Sequence, residues 1–269
     1  MMLNGNEKDT VAVTGLGLMT GLGCDVRSTW QGILDVKSPI SQFTLFDPKG
    51  LSCTFGAELP GNAEEIFAAH MKTRNRGQMT RCTKIALTTA DMAIEDAGID
   101  FMKTDSKRIG VVIGTAGTGF SPSDGTEQRI LKNMISSPAA WISLKWKLLG
   151  PSFVVSTACS SGAYALHIAY SMIRSGMCDC VVTGAADSSI NYHDVEGFCS
   201  VMALSDEKND FSSASRPFDK KRNGFVIGEG AGMMILESEK HARARNARIY
   251  ASMPEPGLCS ESYNIRVQP

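Results

Sequence analysis

Short apolar runs rich in Val and Ile recur along the chain, each bounded by Gly, Pro or Ser: TVAVTG (10–15), RIGVVIG (108–114), FVVSTA (153–158), CVVTGAA (180–186) and AGMMILE (231–237). Runs of that length and make-up predict strands. Between them the apolar positions fall at helical spacing. In TRCTKIALTTADMAIEDAG (80–98), Ile85, Ala86, Thr89, Ala93 and Ala97 share one face, and Gly98 ends the pattern. SSPAAWISLKWKLLG (136–150) has Pro138 in its first turn and Gly150 at its close, and a third helix is predicted from about Cys159 to Ser175. Strands that alternate with helices and are apolar on both sides indicate an α/β fold, a mostly parallel sheet covered by helices on both faces. Residues 205–224, SDEKNDFSSASRPFDKKRNG, are polar and aperiodic and predict a long loop. After Tyr250 the pattern fades into ASMPEPGLCSESYNIRVQP. Residues 1–250 therefore read as the domain and 251–269 as a linker-like tail.

The 269 residues are 43% hydrophobic and carry a formal net charge of −1, enough chain for a substantial core. Balanced charge gives no electrostatic reason to expect nucleic acid or a membrane surface as a partner. No apolar run approaches the ~20 residues of a spanning helix. The opening MMLNGNEKDT lacks the apolar core of a secretory signal, so a cytoplasmic location is expected. The eight cysteines are then reduced thiols, most of them small buried hydrophobes. Only Cys178 and Cys180 are close, as C-D-C, so neither a zinc site nor any other metal is expected. TVAVTGLGLMTGLG looks like a dinucleotide loop, but its glycines at 15, 17, 21 and 23 have the wrong spacing and no helix is predicted directly after them. A tight turn over packed backbone is the better reading, and no cofactor is expected.

The chemistry concentrates in VVSTACSSGAYALHIA (154–169), where a β-branched run ends at Cys159 and a helix begins. Unpaired first-turn N–H groups and the helix dipole lower the pKa of a thiol placed there. Small neighbours, Ala158, Ser160, Ser161 and Gly162, leave room for an acyl chain. On this setting alone a nucleophile and a buried structural cysteine remain open alternatives.

TACSSG resembles the active-site motif of the β-ketoacyl-[acyl-carrier-protein] synthases of the thiolase-like superfamily. VAVTGLGLMTGLG, RGQMTRCTKIAL (76–87), VVIGTAGTG (111–119) and ASRPFDKKRNGFVIGEGAGMMILE (214–237) resemble family segments in the same order. The resemblance implies one βαβαβ-type half of the thiolase-like fold. It implies a decarboxylative Claisen condensation of an acyl thioester with malonyl-carrier protein, in fatty-acid or polyketide elongation, through an acyl-Cys159 intermediate. The Cys159 backbone N–H would serve the oxyanion hole. It further implies two histidines, a lysine and a Gly-Phe-rich loop from the second half of the fold.

None of the four histidines here stands in a matching motif. His167 reads as a packed helix residue, His193 beside Asp194 as a pocket-edge residue with a lesser catalytic reading, and His70 and His241 as solvated. The tail resembles the family's link between halves, so the second half is expected to be absent and supplied by another chain. The alternative is a catalytically silent structural partner that dimerises with a complete synthase.

By the same resemblance Gly197, Phe198, Thr115 and Gly117 border the acyl pocket, with ordinary packing as the other reading. Lys72, Arg74 and Arg76, with Arg81 and Lys84, would dock an acidic acyl carrier protein or simply form a solvated face. Arg216, Asp219, Glu229 and Gly230 match the long signature and are expected in an Arg–carboxylate clamp and close helix–sheet packing. Thr80 and Asn223 stand where the family commonly has Asp. A homodimer, or a heterodimer with a synthase subunit, is expected through residues 152–158, as is an exposed apolar face.

Overall fold

The computed structural model describes residues 10–101, 103–117, 119, 129–260 and 262. Residues 1–9, Thr118 and most of the tail beyond Ser260 lie outside them. β1 (Val11–Met19) leads through a turn to α1 (Val26–Leu34). A small ribbon of β2 (Ser41–Gln42) and β3 (Phe55–Gly56) follows, then α2 (Ala63–His70), α3 (Thr73–Arg76) and the long α4 (Arg81–Ala97). Next come β4 (Ile109–Gly114), α5 (Arg129–Asn133), α6 (Ser137–Trp146), β5 (Ser152–Val155) and α7 (Ser161–Arg174). β6 (Cys180–Ser188), α8 (Tyr192–Ser200), β7 (Glu229–Ser238), α9 (Glu239–Ala244) and β8 (Ala251–Met253) complete the order.

Six strands form one sheet in the order β5-β4-β6-β7-β1-β8. β4 is parallel to β5 and β6, whereas β7 is antiparallel to β6 and β1, and β8 is antiparallel to β1. So β5, β4, β6 and β1 share one direction. That is the mostly parallel sheet expected, with β7 reversed inside it and β8 reversed at one edge. Alternate side chains feed two cores. Ile109, Val111, Ile113 and Val182 pack under α4 and α6, while Val112, Val181 and Leu236 pack under α7. A third cluster, with Phe43, Phe55, Val195 and Ile227, lies beneath the polar 205–224 loop.

β1 runs to Met19, past the end expected at Gly15. The glycines are strand residues pressed on α4: a Cβ at Gly15 would stand 2.2 Å from the Ala93 carbonyl oxygen, and one at Gly17 would stand 2.1 Å from that of Thr89. The packed backbone is as read from the sequence, but the turn comes only at Thr20–Gly23, closed by a reciprocal backbone pair. A helix does follow shortly, and its N-terminus is occupied. Asp25 caps α1 by accepting from the Ser28 N–H at 2.7 Å, where a pyrophosphate would have to sit. Thr80, where Asp is the commoner residue by that resemblance, caps α4 by accepting from the Thr83 N–H at 3.2 Å. Gly98 ends α4 with a φ of 59°, a left-handed conformation that glycine tolerates. FVVSTA is strand only to Val155, because the chain turns over residues 156–158. Beyond Tyr250, β8 pairs with the start of β1 and extends the sheet.

Two buried carboxylates tie helices to this frame, and both engage histidines expected in solvent. Asp91 on α4 takes the Trp146 indole N–H at 2.7 Å, the Lys145 ammonium, and the His70 Nδ1 at 3.1 Å. Glu237 on β7 takes Arg245 through Nε at 2.9 Å and Nη2 at 2.6 Å, the His241 Nδ1 at 2.5 Å and the Thr14 hydroxyl. His70 and His241 are therefore helix-to-carboxylate links. Sequence spacing could not show this for His70, whose carboxylate lies 21 residues on; Glu237 is four residues from His241 but on the strand before its helix.

Burial by itself would raise the Glu237 carboxyl, but the hydrogen bonds from Arg245, His241 and Thr14 outweigh it and hold the group at about 2, against an ordinary 4.5. A folded value below the unfolded one stabilises the protein above the unfolded value and is lost as pH falls through the folded one. Glu237→Gln should lower the melting temperature at neutral pH by an amount equivalent to ~3 kcal/mol. It should also flatten the acid-induced loss of stability between 4.5 and about 2. Thermal melts across that range check both outcomes. An unchanged acid limb in the variant would contradict the assignment.

Candidate active site

The ends of the co-directional strands converge on one cavity. Its wall includes Met19 from β1, Gly114 from β4 and Asp187 from β6, with Gly230 and Gly232 from the start of β7 and Cys159 ahead of α7. Its volume is about 550 Å³. Crevices outside the carboxyl ends of parallel strands are the usual sites in open α/β sheets, since loops there diverge around a fixed frame.

Cys159 reaches this cavity through a locked turn. Ala158 is held at a φ of 53°, a left-handed conformation that costs a Cβ-bearing residue about 1–2 kcal/mol. The two following serines keep it there. Ser161 Oγ accepts from the Thr157 N–H at 2.9 Å and donates to the Ala158 carbonyl at 2.6 Å, and Ser160 Oγ donates to the Thr157 carbonyl at 2.7 Å. The Ser160 and Ser161 N–H groups bond back to Thr157 and Ala158. The Cys159 N–H has no backbone acceptor among the described residues.

The helix behind the turn lies hard on the sheet. A Cβ at Gly114 would stand 2.4 Å from the Ser161 carbonyl oxygen, so glycine alone lets β4 come this close to α7.

Other thiols are excluded by their surroundings. Cys24, Cys53, Cys82, Cys178 and Cys180 are buried, as expected for small hydrophobes. Burial raises all five, with Cys82 pushed up to about 12. Cys199 is half-buried, and Cys259 is exposed in the tail, away from the cavity. Cys159 is exposed and lines it.

Several expected pocket residues meet around it. Thr115 and Phe198 line the Cys159 cavity, while Gly117, Gly197 and Phe198 line an adjoining one of about 560 Å³. A Cβ at Gly117 or at Gly197 would meet nothing within 4 Å, so both glycines leave open space. Phe198 packs edge-on against Phe225, with ring centroids 5.7 Å apart. Residues that sequence reasoning passed over also belong here: Asp187, Ser189 and Phe225. Their one advance signal is a carboxylate closing the strand CVVTGAAD, at the end of a strand where sites collect.

His193 lines the adjoining cavity rather than that of Cys159, at the pocket edge anticipated for it. His167 is half-buried on α7, with its Nδ1 2.8 Å from the Pro256 carbonyl oxygen. Among the described residues no histidine or lysine lines the Cys159 cavity.

The basic cluster divides. Arg81 is the partner of Glu229, bonding it through Nε and Nη2, each at 2.7 Å, and Arg81 and Lys84 both meet Glu64. Those two are structural. Lys72 and Arg74 are exposed and Arg76 is half-buried. The expected clamp at Glu229 thus exists, but its arginine is Arg81. Arg216 instead lies 3.5 Å from Glu207, and Asp219 accepts from the Lys221 N–H in a turn. Gly230 makes a close approach to β1, not to a helix: a Cβ there would stand 2.6 Å from the Met19 carbonyl oxygen. Asn223 donates to Asp206 and accepts from Ser205, both at 2.7 Å, where an Asp would set two carboxylates together.

Comparison with known proteins gives a consistent result. Residues 8–242 match the family model for the β-ketoacyl synthase N-terminal domain. The chain is 34% identical to a 3-oxoacyl-[acyl-carrier-protein] synthase 2 of Rhizobium meliloti, over 95% of this chain and 65% of that protein. It is 32% identical to one of Synechocystis, over 96% and 65%. The chain therefore spans about 65% of the length of these curated relatives. Among solved structures, a β-ketoacyl synthase from Burkholderia phymatum superposes with a TM-score of 0.78 at 28% identity, over 90% of this chain and 62% of that one. A type II polyketide ketosynthase bound to its acyl-carrier protein and a hexaketide gives 0.77 at 28%, over 91% and 61%.

Two substitutions test how the turn is held. Gly114→Ala should force α7 off β4, destabilising the fold by about 1–3 kcal/mol and slowing alkylation of Cys159 by a small reagent. Ala158→Gly, which removes a Cβ from a left-handed residue, should shift stability by less than about 1 kcal/mol. Melts and peptide-mapped alkylation rates check both. Equal effects of the two changes would refute this account of the turn.

Proposed function

Because the chain belongs to the β-ketoacyl synthase family, in its N-terminal domain, we propose that Cys159 is the acyl-accepting nucleophile of a decarboxylative condensation in fatty-acid or polyketide elongation. The observation that carries this reading is an exposed thiol at a helix N-terminus on a cavity, while the other thiols are buried or outside it. The Cys159 thiolate attacks the carbonyl of an acyl-carrier thioester. The tetrahedral oxyanion, received by the Cys159 N–H, collapses and expels the carrier thiol. Malonyl-carrier protein then loses carbon dioxide, leaving the electron pair on its α-carbon. That carbon attacks the acyl-Cys159 carbonyl, and the Cys159 thiolate departs.

The two histidines and the lysine that assist in such synthases have no counterpart around Cys159 among the described residues. We assign them to a complementary second half of the fold. The acyl chain would extend from Cys159 past Thr115 and Phe198 toward Gly117 and Gly197, where space is open. The accessible cysteine favours this reading over a silent structural partner. No metal or cofactor enters the proposed steps. Eight free thiols suit a reducing cytoplasm.

The acyl carrier protein is the proposed partner, with Lys72, Arg74 and Arg76 as its docking charges. The relative solved with its acyl-carrier protein supports a carrier as partner. Pairing through β5 is proposed as well, as a homodimer or with a synthase subunit. β5 is an edge strand with Ser152 and Phe153 exposed, and such an edge invites another strand. Apolar side chains are also exposed on α1, at Trp30, Ile33 and Leu34. No helix among the described residues is long and apolar enough to cross a membrane.

Intact-mass spectrometry after incubation with an acyl-loaded carrier protein tests the proposal. A single acyl adduct, lost in Cys159→Ala and formed more slowly in Lys72→Glu/Arg74→Glu at low salt, is expected. An adduct that persists without Cys159, or no adduct on a thiol that still alkylates, would count against it.

A further inference from the structure

The two cavities meet at a partition. Their shared lining residues are Ala116, Ser189 and Phe198. Two of these three are held by the same carboxylate. Asp187 Oδ2 accepts from the Ala116 N–H at 3.2 Å, and its Oδ1 accepts from the Ser189 hydroxyl at 3.0 Å. Asp187 sits near the end of β6, between the end of β4 and the start of β7. It and Cys159 are the titratable side chains lining the Cys159 cavity among the described residues.

We propose that Asp187 is a positioning and specificity-determining residue, whose ionised carboxylate fixes the partition and so limits how far a chain attached to Cys159 reaches into the second cavity. The proposal rests on Cys159 being the acyl site. Asp187 is half-buried, and a partly desolvated carboxylate is costly unless its oxygens are bonded; here the bonds go to the partition itself. An ionised carboxylate only accepts, so both oxygens can hold N–H and O–H donors. Protonation turns one oxygen into a donor and weakens its hold.

Burial raises the Asp187 carboxyl, although Ser189 and the N–H groups of Gly117 and Ala116 pull the other way, and the negative charge of Asp194 adds to the rise. The change of state therefore comes at a higher pH than for a surface aspartate. Of the titratable and charged groups on the elements around it, those near Asp187 are Cys82 of α4, Cys159 across the same cavity, Glu229 of β7 with its Arg81, and His193 and Asp194 of α8 at the adjoining cavity. Cys82, pushed up to about 12 by burial, keeps its proton at these pH values.

The test is the ratio of rates at which a long-chain and a methyl N-substituted maleimide modify Cys159 in the full chain, read by peptide mapping across mildly acidic to neutral pH. Thiolate fraction cancels in the ratio. As pH falls, the long-to-short ratio should rise by about threefold to tenfold, the worth of one lost hydrogen bond. Asp187→Asn should abolish that pH dependence, and Asp187→Glu should restore part of it. A ratio flat with pH in the native chain overturns the proposal without any variant, as does an unchanged dependence in Asp187→Asn. Failure of the methyl reagent to modify Cys159 would instead strike the acyl-site reading, and this proposal with it.

Discussion

The placement of Cys159 depends on one close contact, between the end of β4 and the first turn of α7. A single methyl group at Gly114 would collide with the Ser161 carbonyl, so the helix can lie this near the strand only over glycine. Because α7 is pinned, the turn before it has little freedom. Ala158 takes a left-handed conformation, and the two serines spend their hydroxyls on the Thr157–Ala158 backbone instead of on the cavity. The opposite face repeats the device, with Gly15 and Gly17 letting α4 rest on β1. A sheet clasped this tightly from both sides holds its strand ends in fixed relation, and a reacting group needs that.

Charge inside the fold serves the same end. Glu229 joins β7 to α4 through Arg81 and also receives the Leu59 N–H at 2.9 Å and the Ser188 hydroxyl at 2.8 Å. Glu237 and Asp91 anchor α9 and α6 in the same manner. Each buried carboxylate has its oxygens occupied, which makes burial tolerable and fixes geometry. Asp187 is only half-buried, and the groups it holds belong to the walls of the two cavities, not to the body of the fold.

The cavity pair gives the thiol a setting suited to covalent transfer of an extended group. One side is backbone-rich, around Cys159 and the glycines of β7. The other passes beneath the Phe198–Phe225 pair into space that Gly117 and Gly197 leave open. The basic charges left over after Arg81 and Lys84 are paired are the ones on and beside α3, which narrows the surface for an acidic partner.

The sequence by itself determined the elements whose physics is local. Five short apolar runs became sheet strands, α4, α6 and α7 formed where the apolar spacing placed them, and Cys159 was marked by a strand-to-helix junction with small neighbours. Motif order supplied the family. What depended on distant residues was decided only by tertiary structure. β7 enters the sheet reversed after a long loop, so sequence order could not give its direction. Gly15 and Gly17 read as a turn because the helix pressing on them lies some seventy residues further on. Arg216 stands in the long signature, yet the clamp went to Arg81, since the start of α4 lies beside Glu229. His70 and His241 looked solvated because the carboxylates they meet are buried by folding. Asp187 was overlooked for the same reason. A lone aspartate at a strand end carries no pattern until the ends of β4, β6 and β7 close around one cavity.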